Sequence, residues 1–420
     1  MSNRRAFVLG GHITPFIGKR HPDFIWKGHP EFGSRSNPTL EDYLRRAVQG
    51  ALEATGTPAE LVDKAWVGNF VGELFSKQGH LGAAVVGAAP ELRFKPVMRV
   101  EGACASGGLA LASALDAIRA GSDVTLVAGV EVQTTESART GGDYLARASH
   151  YARQRELDDF TFPALFARRA KAYQEAGHAG DEDLGRVSVK AYANANRNPL
   201  AHMRAVKMDL ERASKAGDTN PPFLTNPELQ PYMKVSDASQ VSDGGAALVL
   251  VSEDGLTKLG KTPADAVEVL ALRQATDNLW QDGDPLVLET TKYAVGRALA
   301  EAGVGIDDIG VTELHDCFTI TELLMMEAMG LSEVGQAADW VREGRTAIEG
   351  DFPINTGGGL VGFGHPVGAT GVKQVLEVWR QMTGMCGDYQ LATPPTTGLT
   401  INMGGDDKTV VTTVLRHGGA

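Results

Sequence analysis

The sequence predicts an α/β protein of layered sheets and helices, built as two related halves with a mostly helical segment inserted between them. Three observations carry this prediction. Residues 47–56, AVQGALEATG, return in the second half of the chain as residues 294–303, AVGRALAEAG. Each copy reads as an amphipathic helix ended by a glycine. A short acidic link and an apolar stretch of strand character follow, at 66–68 and 309–311. Residues 97–100 read as a strand, 106–120 as a helix and 124–130 as a buried strand, an alternation that favours sheets covered by helices. Residues 133–234 differ: they are rich in Arg, Tyr, Ala and charged groups, with helical periodicity around 166–173.

In chain order, the apolar run 6–9 reads as a first strand that Gly10-Gly11-His12 brings to an end, too short for a signal peptide or a membrane span. Residues 1–132 form the first part of the N-terminal half, and 133–234 the insertion, with loops at Asn198-Pro199 and Asn220-Pro221-Pro222. Ser242-Asp243-Gly244-Gly245 is a turn into a fully buried strand that returns the chain to the first half, over 235–264. The second half begins near Val267 and occupies 265–420.

The 420 residues are 43% apolar, enough to bury a large core. A net charge of -12 argues against a nucleic-acid or anionic-membrane partner, because either needs a broad basic face. Any anionic ligand must be met by local basic residues. Cys104, Cys317 and Cys386 are too few and too scattered for a disulfide framework or a zinc cluster, which points to a reducing, cytoplasmic setting. Residues 417–420 carry no peroxisomal or endoplasmic-reticulum address.

Four segments could carry chemistry. Cys104 stands between a strand and a helix among small residues, a placement that presents its sulfur at a helix N-terminus. Backbone N–H groups there stabilise a thiolate and lower the thiol pKa. On this segment alone, an inert cysteine in a tight turn fits as well. Residues 355–371 form a long glycine-rich loop around His365, and such a loop exists where backbone must pass close to something. Gly357, Gly359 and Gly362 match Gly-x-Gly-x-x-Gly, but no strand leads directly into a helix there, so a dinucleotide site is rejected. By itself His365 fits a surface loop.

The third segment, His315-Asp316-Cys317-Phe318, follows the second repeat's strand. Neighbouring residues rarely converge on one ion, so acid–base chemistry is the better reading and no metal site is expected. The fourth, 399–407, reads as a strand and turn.

Together these segments resemble the thiolase family, specifically its sterol-carrier-protein-2 type. The matches are Asn355-x-x-Gly358-Gly359, Gly364-His365-Pro366-x-Gly368-Ala369-Thr370-Gly371, and His315-Asp316-Cys317-Phe318. The resemblance implies a duplicated, layered αβαβα fold with a mostly helical inserted loop domain. It implies that Cys104 is the acylated nucleophile, His365 the base that takes its proton, and Cys317 the second acid/base. His315 would help hold a thioester oxygen through a water, while the N–H groups of Cys104 and Gly404 would form the other oxyanion site.

The implied reaction is thiolytic cleavage of a 3-oxoacyl-CoA, or the reverse Claisen condensation. Coenzyme A is then a co-substrate, no cofactor is held permanently, and the chain is a homodimer or homotetramer. Ser239 matches a position near the pantetheine arm. Arg168, Arg169, Lys171 and Arg204, with Lys207 and Arg212, are candidates to meet the CoA phosphates. Most thiolases carry the second cysteine in the C-terminal turn, where this chain has Asn402, which cannot titrate. Cys386 matches no motif and reads as structural. Glu101-Gly102-Ala103 leaves the acyl preference open. Two alternatives stand beside this reading: a ketoacyl-synthase-like condensing acyltransferase with a Cys-His-His site, and a non-catalytic scaffold that binds a small partner protein.

Overall fold

The computed structural model describes residues 4–418. Five strands form the first half of a sheet: β1 (Ala6–Ile13), β2 (Lys64–Gly68), β3 (Val97–Val100), β4 (Val124–Glu131) and β5 (Gly244–Ser252). Four form the second: β6 (Val267–Thr276), β7 (Val311–Glu313), β8 (Thr397–Gly404) and β9 (Thr409–Arg416). The order is β3-β2-β4-β5-β1-β6-β9-β8-β7. The halves meet where Phe7 and Val8 of β1 pair with Glu268 and Val267 of β6. Each half repeats one plan, with a parallel pair (β2 and β4, β7 and β8) followed by antiparallel partners. The counterpart of β3 in the second half is a single bridge, Thr312 to Ile354.

The helices that frame the sheet and the site are α1 (Leu40–Thr55), α2 (Ser106–Arg119), α3 (Thr161–Glu175), α4 (Asp181–Arg197), α5 (Glu289–Ala302), α6 (Thr319–Ala328), α7 (Gly359–Phe363) and α8 (Thr370–Met382). The repeat helices α1 and α5 both stop at a left-handed glycine, Gly56 at φ 64° and Gly303 at φ 68°.

Strand alternation sorts the layers. Ala246, Leu248 and Leu250 of β5 face the buried helices α2 and α8, whereas Ala247, Val249 and Val251 face α1. On β8, Leu399, Ile401 and Met403 face α5 and α6, which leaves Gly398, Thr400 and Asn402 toward α2 and α8. The result is five layers: helix, sheet, helix, sheet, helix. α2 and α8 touch closely enough that a Cβ on Gly371 would lie 2.3 Å from the Gly108 nitrogen. Only glycine permits this approach, and it brings the two helix starts together.

Between Glu131 and Gly244 the chain forms helices joined by loops and contributes no strand to the sheet, and α4 packs directly on α7, where a Cβ on Gly362 would lie 2.3 Å from the Ala191 carbonyl oxygen. Two sequence expectations are corrected. Gly10-Gly11-His12 does not end the first strand; β1 passes through a bulge between Val8 and Gly10 and pairs on to Ile13, because its β5 neighbour supplies the register. The strand expected at 309–311 begins only at Val311.

Candidate active site

Three segments far apart in sequence deliver the candidate side chains. Cys104 follows β3 in a tight turn with Ala103 at φ 52°, a left-handed backbone that a non-glycine residue adopts at some cost. Ser106 Oγ holds this turn by accepting from the Gly102 N–H at 3.0 Å and donating to the Ala103 carbonyl at 2.6 Å. His315 and Cys317 follow β7. Their backbone is fixed by the Leu314 N–H donating to Asn355 Oδ1 (2.9 Å) and the Leu360 N–H donating to Asp316 Oδ1 (2.6 Å). His365 lies between α7 and α8, with its own N–H donating to Ser242 Oγ at 3.2 Å.

Cys104 Sγ and one ring nitrogen from each of His315 and His365 lie within 4.8 Å of one another. The two imidazoles meet edge to face, 5.0 Å between centroids. Cys317 lines the same cavity. Neighbouring hydrogen bonds fix both tautomers. Thr370 Oγ1 donates to the Pro366 carbonyl and so accepts from His365 Nδ1–H at 2.6 Å, leaving His365 Nε2 as a buried lone pair with no partner. Asn402 Oδ1 accepts from the Gly108 N–H at 3.1 Å, so its Nδ2 is the donor, to the Cys104 carbonyl at 3.0 Å and to His315 Nδ1 at 3.4 Å. The His315 proton therefore sits on Nε2. A donor there suits a substrate oxygen and does not suit a metal ion, although three ligand-type atoms converge.

Burial dominates the electrostatics. It pushes the Cys104 thiol up to about 12, against the opposing pull of the Gly405 and Cys104 N–H groups. It pushes His365 down to about 3, with the Lys373 charge acting in the same direction. His315 is held well below its ordinary value by burial and then by His365, and burial raises Cys317 well above the usual thiol range. The lowered thiol pKa expected from the helix start is therefore corrected: desolvation outweighs the N–H groups, and the resting site is a neutral thiol beside a neutral imidazole.

The cavity measures about 410 Å³. Ser239 lines it and donates its N–H to the Cys317 carbonyl at 2.9 Å. The expected basic residues fare differently. Arg169 is buried and fully engaged by Asp406 and by the carbonyls of Asp284, Pro285 and Val287, so it holds the fold. Arg168 pairs with Asp406 and Asp282, and Lys171 lies 4.0 Å from Glu175. Arg204 lies away from the lining, as do Lys207, bound to Asn196, and Arg212, bound to two backbone carbonyls.

The basic residues on the lining are Lys19 and Arg20, both exposed. The run Lys19-Arg20-His21 just after the first strand was the available signal for them. Gly404 is buried in β8 against Gly102 and Ala105, and the N–H directed at the Cys104 sulfur is that of Gly405. Asn402 is a buried residue of β8 rather than part of the turn, and it ties the Cys104 loop to His315. Its partners lie 87 to 298 positions away in sequence, so nothing local marks it.

Residues 28–254 match the family model for the thiolase N-terminal domain, and residues 272–417 match the thiolase C-terminal domain-like model. The chain belongs to the thiolase family. It is 34% identical to an acetyl-CoA acetyltransferase of Methanothermobacter thermautotrophicus over 87% of this chain and 92% of that one. It is 28% identical to sterol carrier protein 2 of Gallus gallus, over 91% of this chain and 67% of that protein. Among solved structures, this thiolase superposes on the Ltp2-ChsH2(DUF35) aldolase with a TM-score of 0.78 at 21% identity, covering 98% of each chain. The thiolase is thus an acyltransferase acting on coenzyme A thioesters, with coenzyme A as co-substrate.

Proposed function

We propose that the enzyme cleaves 3-oxoacyl-CoA thiolytically, or runs the reverse Claisen condensation, through an acyl-Cys104 intermediate. The observation that carries this reading is the unpartnered His365 Nε2 lone pair, held by Thr370 in the same pocket as the Cys104 thiol. A neutral pair buries no charge at rest, so thiolate and imidazolium form together at the moment of attack.

His365 Nε2 takes the thiol proton as the sulfur bonds to C3. The C3 oxygen gains charge opposite the N–H groups of Cys104 and Gly405, one residue on from the glycine expected from the sequence. Collapse breaks the C2–C3 bond. His315 Nε2–H, through a water, supports the enolate oxygen on the thioester carbon while Cys317 Sγ–H protonates C2. Cys317 thiolate then deprotonates an incoming CoA thiol, whose sulfur takes the acyl group. Cys104 leaves as thiolate and recovers its proton from His365.

Lys19 and Arg20 meet the CoA phosphates at the mouth, and Ser239 lies along the pantetheine arm. The cytoplasmic setting accords with three free cysteines, two of them needed as thiols. Self-association as a homodimer or homotetramer accords with the unpaired edge of β3, beside which Phe94 is 90% exposed.

Mass spectrometry after exposure to substrate without free CoA should find the acyl group on Cys104. Cys317→Ala should still form acyl-Cys104 from a simple acyl-CoA, because acylation from that donor needs only Cys104 and His365. Its thiolysis should fall by a factor on the order of 100, because the departing enolate lacks its acid. Acylation at another cysteine, or unchanged turnover in Cys317→Ala, would contradict the assignment.

A further inference from the structure

We infer that the acyl group this site accepts is bulky, apolar and uncharged, of medium chain length or aromatic, rather than acetyl. The inference rests on the proposed thiolase chemistry and adds the substrate class to it.

Cys104 lies against a separate apolar cluster. Phe70, Val71, Phe75, Ala103, Ala148 and Val367 are its buried members, and Cys104, Leu145 and Phe162 are among the partly buried residues that pack against them. Phe70, Leu145, Ala148 and Phe162 line the cavity beside the cysteine. An acyl group on Cys104 Sγ therefore projects among aromatic and aliphatic carbon. Apart from the two active-site histidines, the only ionisable nitrogens on the cavity lining are those of Lys19 and Arg20, both exposed where Val241, 42% exposed, also opens to solvent. Arg99 and Arg147, which line a neighbouring surface pocket that shares Phe70, are absent from this lining and pair with Glu73 and Asp143.

The 410 Å³ cavity is shared with the pantetheine arm, which passes Ser239, and the part of its wall beside Cys104 is the apolar one, formed by Phe70, Leu145, Ala148 and Phe162. A short acyl chain would leave this wall wet or empty. A longer one buries its methylenes, each contributing enough to raise binding about fourfold. A terminal carboxylate would be buried there without a partner.

The test is kcat/KM for thiolysis across acetoacetyl-, 3-oxohexanoyl-, 3-oxooctanoyl-, 3-oxo-3-phenylpropanoyl- and 3-oxoadipyl-CoA. We expect a rise on the order of 100-fold from acetoacetyl- to 3-oxooctanoyl-CoA. The aromatic substrate should be accepted, and 3-oxoadipyl-CoA should fall at least ~100-fold below 3-oxohexanoyl-CoA. Ala148→Phe, which fills the wall, should reduce the preference for 3-oxooctanoyl- over acetoacetyl-CoA at least ~10-fold.

A flat series, or one that favours acetoacetyl-CoA, overturns the inference. Calorimetry on Cys104→Ser reads the pocket without turnover, and hexanoyl-CoA should bind at least ~10-fold tighter than acetyl-CoA. Failure to cleave any 3-oxoacyl-CoA would count against the thiolase reaction alone, while equal binding of the two acyl-CoAs would count against the pocket.

Discussion

At the scale of single residues, Cys104 is under two opposing influences, and their balance sets its reactivity. The Gly405 and Cys104 N–H groups favour a thiolate, but desolvation beside an apolar cluster disfavours it more and pushes the thiol up to about 12. Between pH 7 and pH 10 the thiol is therefore protonated in the free enzyme, and its thiolate fraction grows tenfold with each unit of pH. Alkylation of Cys104 by iodoacetamide should rise about tenfold per pH unit across that whole range, followed by peptide mass spectrometry. A plateau near pH 8 would mean that the helix start wins after all. Asn402 shows a second effect at this scale: an amide that cannot titrate still decides which nitrogen of His315 carries the proton.

At the scale of elements, the site depends on short segments held at unusual backbone angles. Gly359 opens α7 at φ 59°, and a Cβ there would lie 2.2 Å from Asp316 Oδ2, whose other oxygen is bound to the Leu360 N–H. Asp316 thus pins the glycine-rich loop that carries His365 onto the segment that carries His315 and Cys317. Gly359→Ala should destabilise the protein by about 1–3 kcal/mol through the strained angle and the clash, read as a lower urea midpoint. It should also slow acylation, because His365 is displaced relative to Cys104. A variant with an unchanged midpoint would show that the loop can relax without cost.

At the scale of the whole molecule, α2 and α8 join two half-sheets that otherwise share only a short β1–β6 seam. α8 is anchored to the second half by Lys373, whose Nζ lies 2.7 Å from Glu313 Oε2 with both side chains 1% exposed. Removing one partner of such a pair leaves the other charge buried and alone. Lys373→Met should cost about 3–5 kcal/mol in urea unfolding. Lys373→Met with Glu313→Leu should recover most of that loss, since no charge then remains unpaired. A double variant as unstable as the single one would show that packing, and not the stranded carboxylate, is responsible.

The sequence by itself determined whatever repeats locally or follows a short period. The duplicated helix with its terminal glycine, the fully buried β4 and β5, and the helical character of the middle segment all follow from spacing and composition. Cys104, His315, Cys317 and His365 could be named as candidates before any contact was known, though only because their motifs together resemble the thiolase family; each segment alone left an inert reading open. Only the tertiary structure decided how these groups behave. The thiol pKa depends on an apolar wall drawn from residues 70–75, 145–162 and 367, and no local pattern reports desolvation. Arg169 reads as a free cation on a helix face, yet it is buried against Asp406 and three carbonyls more than a hundred residues away. Asn402, in turn, gains its role solely because β8 passes alongside the start of α2. Charge, packing and proton position are set by neighbours in space, and in a five-layer fold those neighbours come from opposite ends of the chain.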